Sequence, residues 1–104
     1  MLDILVMYPN SDEVRFDDTY YFDKHASLII SLLEPLGLKY LRIAKGIDQD
    51  APYYLVAHLG FESQETFQKA IEEAGDRIFD DISNFTNIDP LIQVGEVVAN
   101  NNRY

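Results

Sequence analysis

Phe16-Asp17-Asp18-Thr19-Tyr20-Tyr21-Phe22-Asp23-Lys24-His25 begins as a turn and ends as a helix. Asp17 or Asp18 can cap it, because a short carboxylate accepts from the free N–H groups of a first helical turn and its charge suits the positive end. The amphipathic pattern continues to about residue 34, where Pro35 and Gly37 stop it. Upstream, residues 2–8 form an apolar, β-branched run closed by the turn residues Pro9-Asn10-Ser11-Asp12. Downstream, residues 38–45 read as a second strand, 46–52 as a turn-rich connection and 53–61 as a third strand. Ser63 caps a second helix, with Glu65 in its first turn, that runs to about residue 74. Gly75 marks a break, residues 76–82 add a helical turn or two, and residues 91–98 form the last strand. The order βαββαβ is the ferredoxin-like α+β pattern: a four-stranded antiparallel sheet with both helices on one face. Residues 1–98 are read as a single domain and 99–104 as a polar tail.

A chain of 104 residues with 47% hydrophobic content is long enough for one core. Eighteen acidic against eight basic side chains give a net charge of −10. Nucleic acid and anionic membrane surfaces are therefore poor partners, since phosphates call for a positive surface. The absence of cysteine excludes disulfides, thiolate metal sites and cysteine nucleophiles. The N-terminus lacks a basic leader and no apolar run nears the roughly 20 residues of a membrane span. A cytoplasmic location is the expectation.

The strands carry more apolar residues than a sheet covered on one side needs. The third strand sets Tyr53, Leu55, Ala57, Leu59 and Phe61 against Tyr54, Val56, His58 and Gly60. The first sets Ile4, Val6 and Tyr8 against Leu5 and Met7. The last sets Ile92, Val94 and Val98 against Leu91, Gln93, Gly95 and Val97. Helices can cover only one of these faces. A second copy of the same sheet is the simplest cover for the other, which makes a homodimer and a barrel across it.

Three segments resemble the EthD family of the dimeric α+β barrel superfamily. Val6-Met7-Tyr8-Pro9-Asn10 is similar to that family's first strand and turn. Phe16-Asp17, Tyr20-Tyr21, His25 and Leu28 resemble its helix signature. Asn84-Phe85-Thr86, Pro90, Gln93 and Glu96-Val97 resemble its closing loop and strand. Ser27 departs from the pattern, standing where the family often has proline. The resemblance spans residues 2–98. It implies a homodimer with a small-molecule cavity between sheet and helices. It does not imply one reaction, because related barrels include cofactor-free oxygenases, polyketide cyclases, lactone isomerases and haem enzymes. An apolar pocket serving an accessory enzyme is one expectation. The other is a non-catalytic binding or stabilising dimer beside an oxidative system.

His25 and Tyr21 are the candidate catalytic pair. At 100° per residue His25 falls with Tyr21, Ile29 and Leu32 on the apolar side of the first helix. There it is either an acid/base group or a core histidine held by hydrogen bonds. Tyr20 falls toward the polar side with Lys24, Ser27 and Ser31. Arg42, His58, Gln93 and Tyr54 are the candidate substrate-binding residues, provided their strands turn them to the inner face. Gly60 would then leave room for a ligand. Two histidines far apart, without a Cys or His-Glu pattern, supply no metal motif. No cofactor is expected, although His25 or His58 could serve a haem as axial ligand.

Overall fold

The computed structural model describes residues 1–101. Its sheet holds β1 (Leu2–Pro9), β2 (Tyr40–Lys45), β3 (Tyr53–Phe61) and β4 (Leu91–Glu96). They lie in the order β2-β3-β1-β4, with every neighbouring pair antiparallel. The first helix spans residues 18–33 and a 3-10 turn, Glu34–Leu36, extends it. Gly37, at φ 111°, ends it in a left-handed conformation that a Cβ would strain. The second helix is Gln64–Asp80, followed by a short 3-10 turn, Ile82–Asn84. This is the ferredoxin-like α+β fold. No described helix is long and apolar enough to cross a membrane.

Period-two patterning decides which side of the sheet the helices take. Leu2, Ile4, Leu59 and Phe61 form one buried cluster with Ile29 and Leu33 of the first helix and Ala70, Ala74 and Ile78 of the second. The alanines let the second helix approach the sheet closely. The caps follow the local chemistry. Asp17 Oδ1 accepts from the Tyr20 N–H at 3.0 Å, and Ser63 Oγ from the Thr66 N–H at 3.2 Å. Asp18 is left free to pair with Lys45 Nζ at 2.5 Å and to accept from the Tyr54 hydroxyl at 2.6 Å.

Several sequence expectations need correcting. The second helix does not break at Gly75 but runs through it to Asp80. Gly75 is buried beside Ala74 on the packed side, and the burial of Ile78 one turn on holds the helix together across a residue that costs it about 1 kcal/mol. β2 and β4 are shorter than read, at Tyr40–Lys45 and Leu91–Glu96. Of the tail read as 99–104, residues 99–101 carry no regular structure and 102–104 lie outside the described residues.

The loop before the first helix is tied to the loop before β4. Phe16 and Thr86 form an isolated antiparallel bridge, and the Asp17 N–H donates to the Phe85 carbonyl at 2.8 Å. The Thr86 hydroxyl donates to the Arg15 carbonyl at 2.6 Å. Asn87 accepts from the Arg15 N–H at 2.9 Å and donates to the Glu13 carbonyl at 3.1 Å. These bonds carry Phe85 and the preceding turn under the first helix, beside His25.

Candidate functional site

The first helix is not a regular α-helix where it matters. Tyr21–His25 form a π-helical turn, in which the Ala26 N–H reaches back to the Tyr21 carbonyl. Such i→i+5 turns are rare and cluster at functional sites. On an α-helix, residues five apart point about 140° away from one another. The wider turn brings Tyr20 and His25 onto one side, and both reach the same carboxylate. His25 Nδ1 lies 2.9 Å from Asp81 Oδ2, and the Tyr20 hydroxyl donates to Asp81 Oδ1 at 2.6 Å. Asn84 Nδ2 donates to the same Oδ1 at 2.9 Å. Tyr20 therefore belongs to this cluster and not to the polar outer side where an α-helical period puts it.

His25 is 2% exposed and Tyr21 1%. The imidazole lies against the Phe85 ring at 4.6 Å between centroids and the Tyr21 ring at 5.3 Å. Burial lowers its pKa from the usual histidine range and outweighs the Asp81 carboxylate, which works the other way. The ring is thus neutral near pH 7. Burial works to raise the pKa of Asp81, but the bonds from Tyr20, Asn84 and His25 prevail and hold it below the ordinary aspartate value. An ionised carboxylate can only accept, so Nδ1 carries the proton and Nε2 keeps its lone pair. Burial likewise pushes the Tyr21 and Tyr8 phenols well above their usual range, so both stay protonated.

His25, Tyr21 and Tyr8 line a cavity of about 50 Å³ between the sheet and the helices, together with Ile4, Ala57, Ile78 and other apolar side chains. No fully enclosed side-chain nitrogen or oxygen among the described residues lacks a hydrogen-bond partner. His25 bonds within the chain through Nδ1 alone, and its ring lines the cavity. The volume is that of a few water molecules. A haem does not fit in it.

The proposed substrate-binding residues lie elsewhere. Arg42 pairs with His58, His58 with Leu5, and Leu5 with Gln93, so one row crosses all four strands. Strand alternation puts that row on the face away from the helices, opposite His25 and Tyr21. The inner-face pocket expected to unite Arg42, His58 and Gln93 with His25 is therefore not formed within one chain. Its residues group differently: Arg42 lies over the Tyr40 ring at 5.7 Å, and the Tyr40 hydroxyl donates to Asp3 Oδ1 at 2.6 Å. His58 Nδ1 is 3.4 Å from Asp3 Oδ2. Gly60 leaves no room for a ligand either, because a Cβ there would come within 2.1 Å of the Tyr40 ring that fills the space. Tyr54 separates from this row. A register irregularity between Tyr8 and Pro9 skips it, and its ring packs on Phe16 at 4.7 Å. Among the described residues no group of three or more His, Cys, Asp or Glu is placed to hold a metal ion.

Asp81 is the member of this cluster that sequence reasoning misses. It sits just past the second helix, 56 residues from His25. The one signal available was a carboxylate and an amide three apart, Asp81 and Asn84, at a helix end facing the Asn84-Phe85-Thr86 motif.

No family model matches the sequence, and no curated protein does. Solved structures do. An EthD-like protein from Ralstonia eutropha JMP134 is 31% identical, with a TM-score of 0.83 over 96% of this chain and 94% of that one. The chain belongs to the EthD family. An EthD family protein from Bacillus halodurans C-125 is 20% identical, with a TM-score of 0.74 over 92% and 97% of the two chains. A DABB family protein with a ferredoxin-like fold from Mesorhizobium loti, at 9% identity and a TM-score of 0.63 over 94% and 97%, shares the fold. In this EthD protein the segments carrying the sequence resemblance are those that meet in space: the Tyr20–His25 turn packs on Phe85 of the closing loop.

Proposed function

We propose that this EthD protein binds a small, largely apolar molecule between its sheet and helices and moves a proton on it through His25. One observation carries the reading: Asp81 holds the buried imidazole by Nδ1 at 2.9 Å, and the ring so held lines an apolar cavity. A neutral imidazole oriented by a carboxylate is a general base. Cyclisations and isomerisations of polyketide-like or aromatic compounds begin with such a step. Nε2 takes a proton from carbon next to a carbonyl, and the C–H electron pair moves onto the carbonyl oxygen as an enolate. Protonated His25 then returns the proton to the rearranged carbon.

The small cavity favours a second reading, a non-catalytic binding or stabilising protein, because ligand pockets commonly measure about 300–1,000 Å³. One experiment separates the two. The ketone 2-tetralone is incubated in heavy water, and loss of its α-proton NMR signal is timed. Catalysis predicts acceleration by the wild type and its loss, by about 100-fold or more, in His25→Ala. Binding of the ketone near His25 without acceleration supports the second reading.

The proposed assembly is a homodimer through the outer sheet face. That face presents Leu5, Met7, Val56 and Leu91 around the polar row, and Leu91 is 53% exposed. A second sheet laid there would bury them and enclose Arg42, His58 and Gln93 between copies. Those side chains would serve that interior, apart from the His25 cavity.

A further inference from the structure

The inner cavity shares part of its wall with a second space. Phe79, Ile82 and Ile92 line it on one side and line an open groove of about 450 Å³ on the other. Phe79, on the last turn of the second helix, is 42% exposed, and Ile92, on β4, is 45% exposed. Ile92 pairs with Val6 and stands on β4, the edge strand of the sheet. The two spaces differ in scale. The cavity accommodates a few waters, whereas the groove has the volume of an ordinary ligand site.

We propose that groove and cavity are two halves of one binding site, joined past Phe79. We propose further that its ligand is a neutral, elongated, mostly apolar molecule with a hydrogen-bond donor toward its outer end. This rests on the reading of His25 as the group at the inner end. Neutrality follows from charge: Asp89 is the only charged residue lining the groove, and the chain carries −10. A carboxylate or phosphate would meet no cation there and an unfavourable field. The donor follows from which polar groups are spent. Thr86 and Asn87 use their side chains to hold the neighbouring loop. Ser83 and Asp89 are left to meet a ligand, and a carboxylate can only accept. Phe79 is then the specificity-determining side chain. It must swing outward to admit anything larger than water, and its partial exposure gives it room to do so.

The test uses 2-naphthol as the neutral probe and 2-naphthoate as its anionic counterpart, titrated by NMR into labelled full-length protein. With two histidines in the chain, the ring signals of His25 are readily assigned. The expected result is that 2-naphthol shifts both the His25 ring and the Ser83 amide, with 2-naphthoate at least 10-fold weaker. Ile92→Trp, which plugs the passage at a half-exposed site, should weaken 2-naphthol at least 10-fold. Phe79→Ala should retain binding and speed its exchange. If 2-naphthol shifts His25 but binds Ile92→Trp within twofold of the wild type, the passage is elsewhere and only this inference falls. If the Ser83 amide responds and His25 does not, the groove is a separate surface and this inference falls, while 2-tetralone exchange still decides the His25 reading. Equal or tighter binding of 2-naphthoate overturns the ligand class.

Discussion

Asp81→Asn tests the site with the least disturbance of shape. Asp81 accepts from His25 through Oδ2 and from Tyr20 and Asn84 through Oδ1. An asparagine has one oxygen for these three donors. If that oxygen stays with Tyr20 and Asn84, the new amide N–H faces His25 Nδ1. Two donors then oppose each other inside a core where His25 is 2% exposed. Leaving such a donor unsatisfied costs about 1–3 kcal/mol. The ring can escape by moving its proton to Nε2, and it then has no lone pair toward the cavity. For a chain of 104 residues, about 2 kcal/mol lowers Tm by roughly 10 °C. The assays are a thermal melt and a long-range 15N NMR spectrum, which separates the two histidine tautomers. We expect Nδ1–H in the wild type and either a shift toward Nε2–H or the full loss of stability in Asp81→Asn. Exchange of 2-tetralone should fall by about 100-fold or more, the scale of a lost general base. A variant that keeps the Nδ1–H tautomer and melts within 2 °C of the wild type would refute the account of Asp81.

Acid should weaken the fold in two stages. The folded pKa of His25 lies below its ordinary value of 6.5, so as pH falls past about 6.5 the unfolded chain takes up that proton first and stability drops. The folded pKa of Asp81 lies below 3.8, so its contribution is complete above that value and is lost as pH falls further. Urea midpoints between pH 8 and pH 3 check both, and His25→Gln should remove the upper stage. Gly60→Ala should cost about 1–3 kcal/mol, because its methyl would expel the Tyr40 ring and break the bond to Asp3, seen as a lower urea midpoint. Phe61→Ala empties a fully enclosed site and should cost about 3–5 kcal/mol by the same measure. Met7→Lys puts a charge at the centre of the outer face and should leave a folded monomer by light scattering if that face joins two copies.

The fold was legible because its signals are local and repeat. Alternation in β1 and β3 fixes the faces of the sheet, and Asp17 and Ser63 cap where short polar side chains should. The site was half legible. The apolar side of the first helix points to Tyr21 and His25, and both are buried there. Asp81 was not, since a contact across 56 residues leaves no periodic trace. Tyr20 was misplaced by assuming one helical period throughout. Arg42, His58 and Gln93 were grouped on a face that sequence could not choose, because both faces of the strands are apolar. The sheet register settles it only once β1 is seen between β3 and β4.

The π turn leaves the first helix written in two reading frames. Residues before Tyr21 and residues after His25 each follow an ordinary α-helical phase, but the phases are offset by the one residue the wide turn absorbs. The helix therefore cannot tolerate length changes evenly along its course. Deleting one residue between Tyr20 and His25 would restore a single frame and leave the two four apart, still on one side. Deleting one after the turn, between Ala26 and Ile29, would keep Ile29 and Leu33 in the core and swing everything upstream about 100° around the axis, taking Tyr20 and the Asp17 cap away from the second helix. A chain shortened within the turn should still fold and keep the carboxylate cluster, and one shortened after it should lose the cluster, which makes the length of this helix, more than the identity of any one side chain in it, the quantity that insertions and deletions must respect.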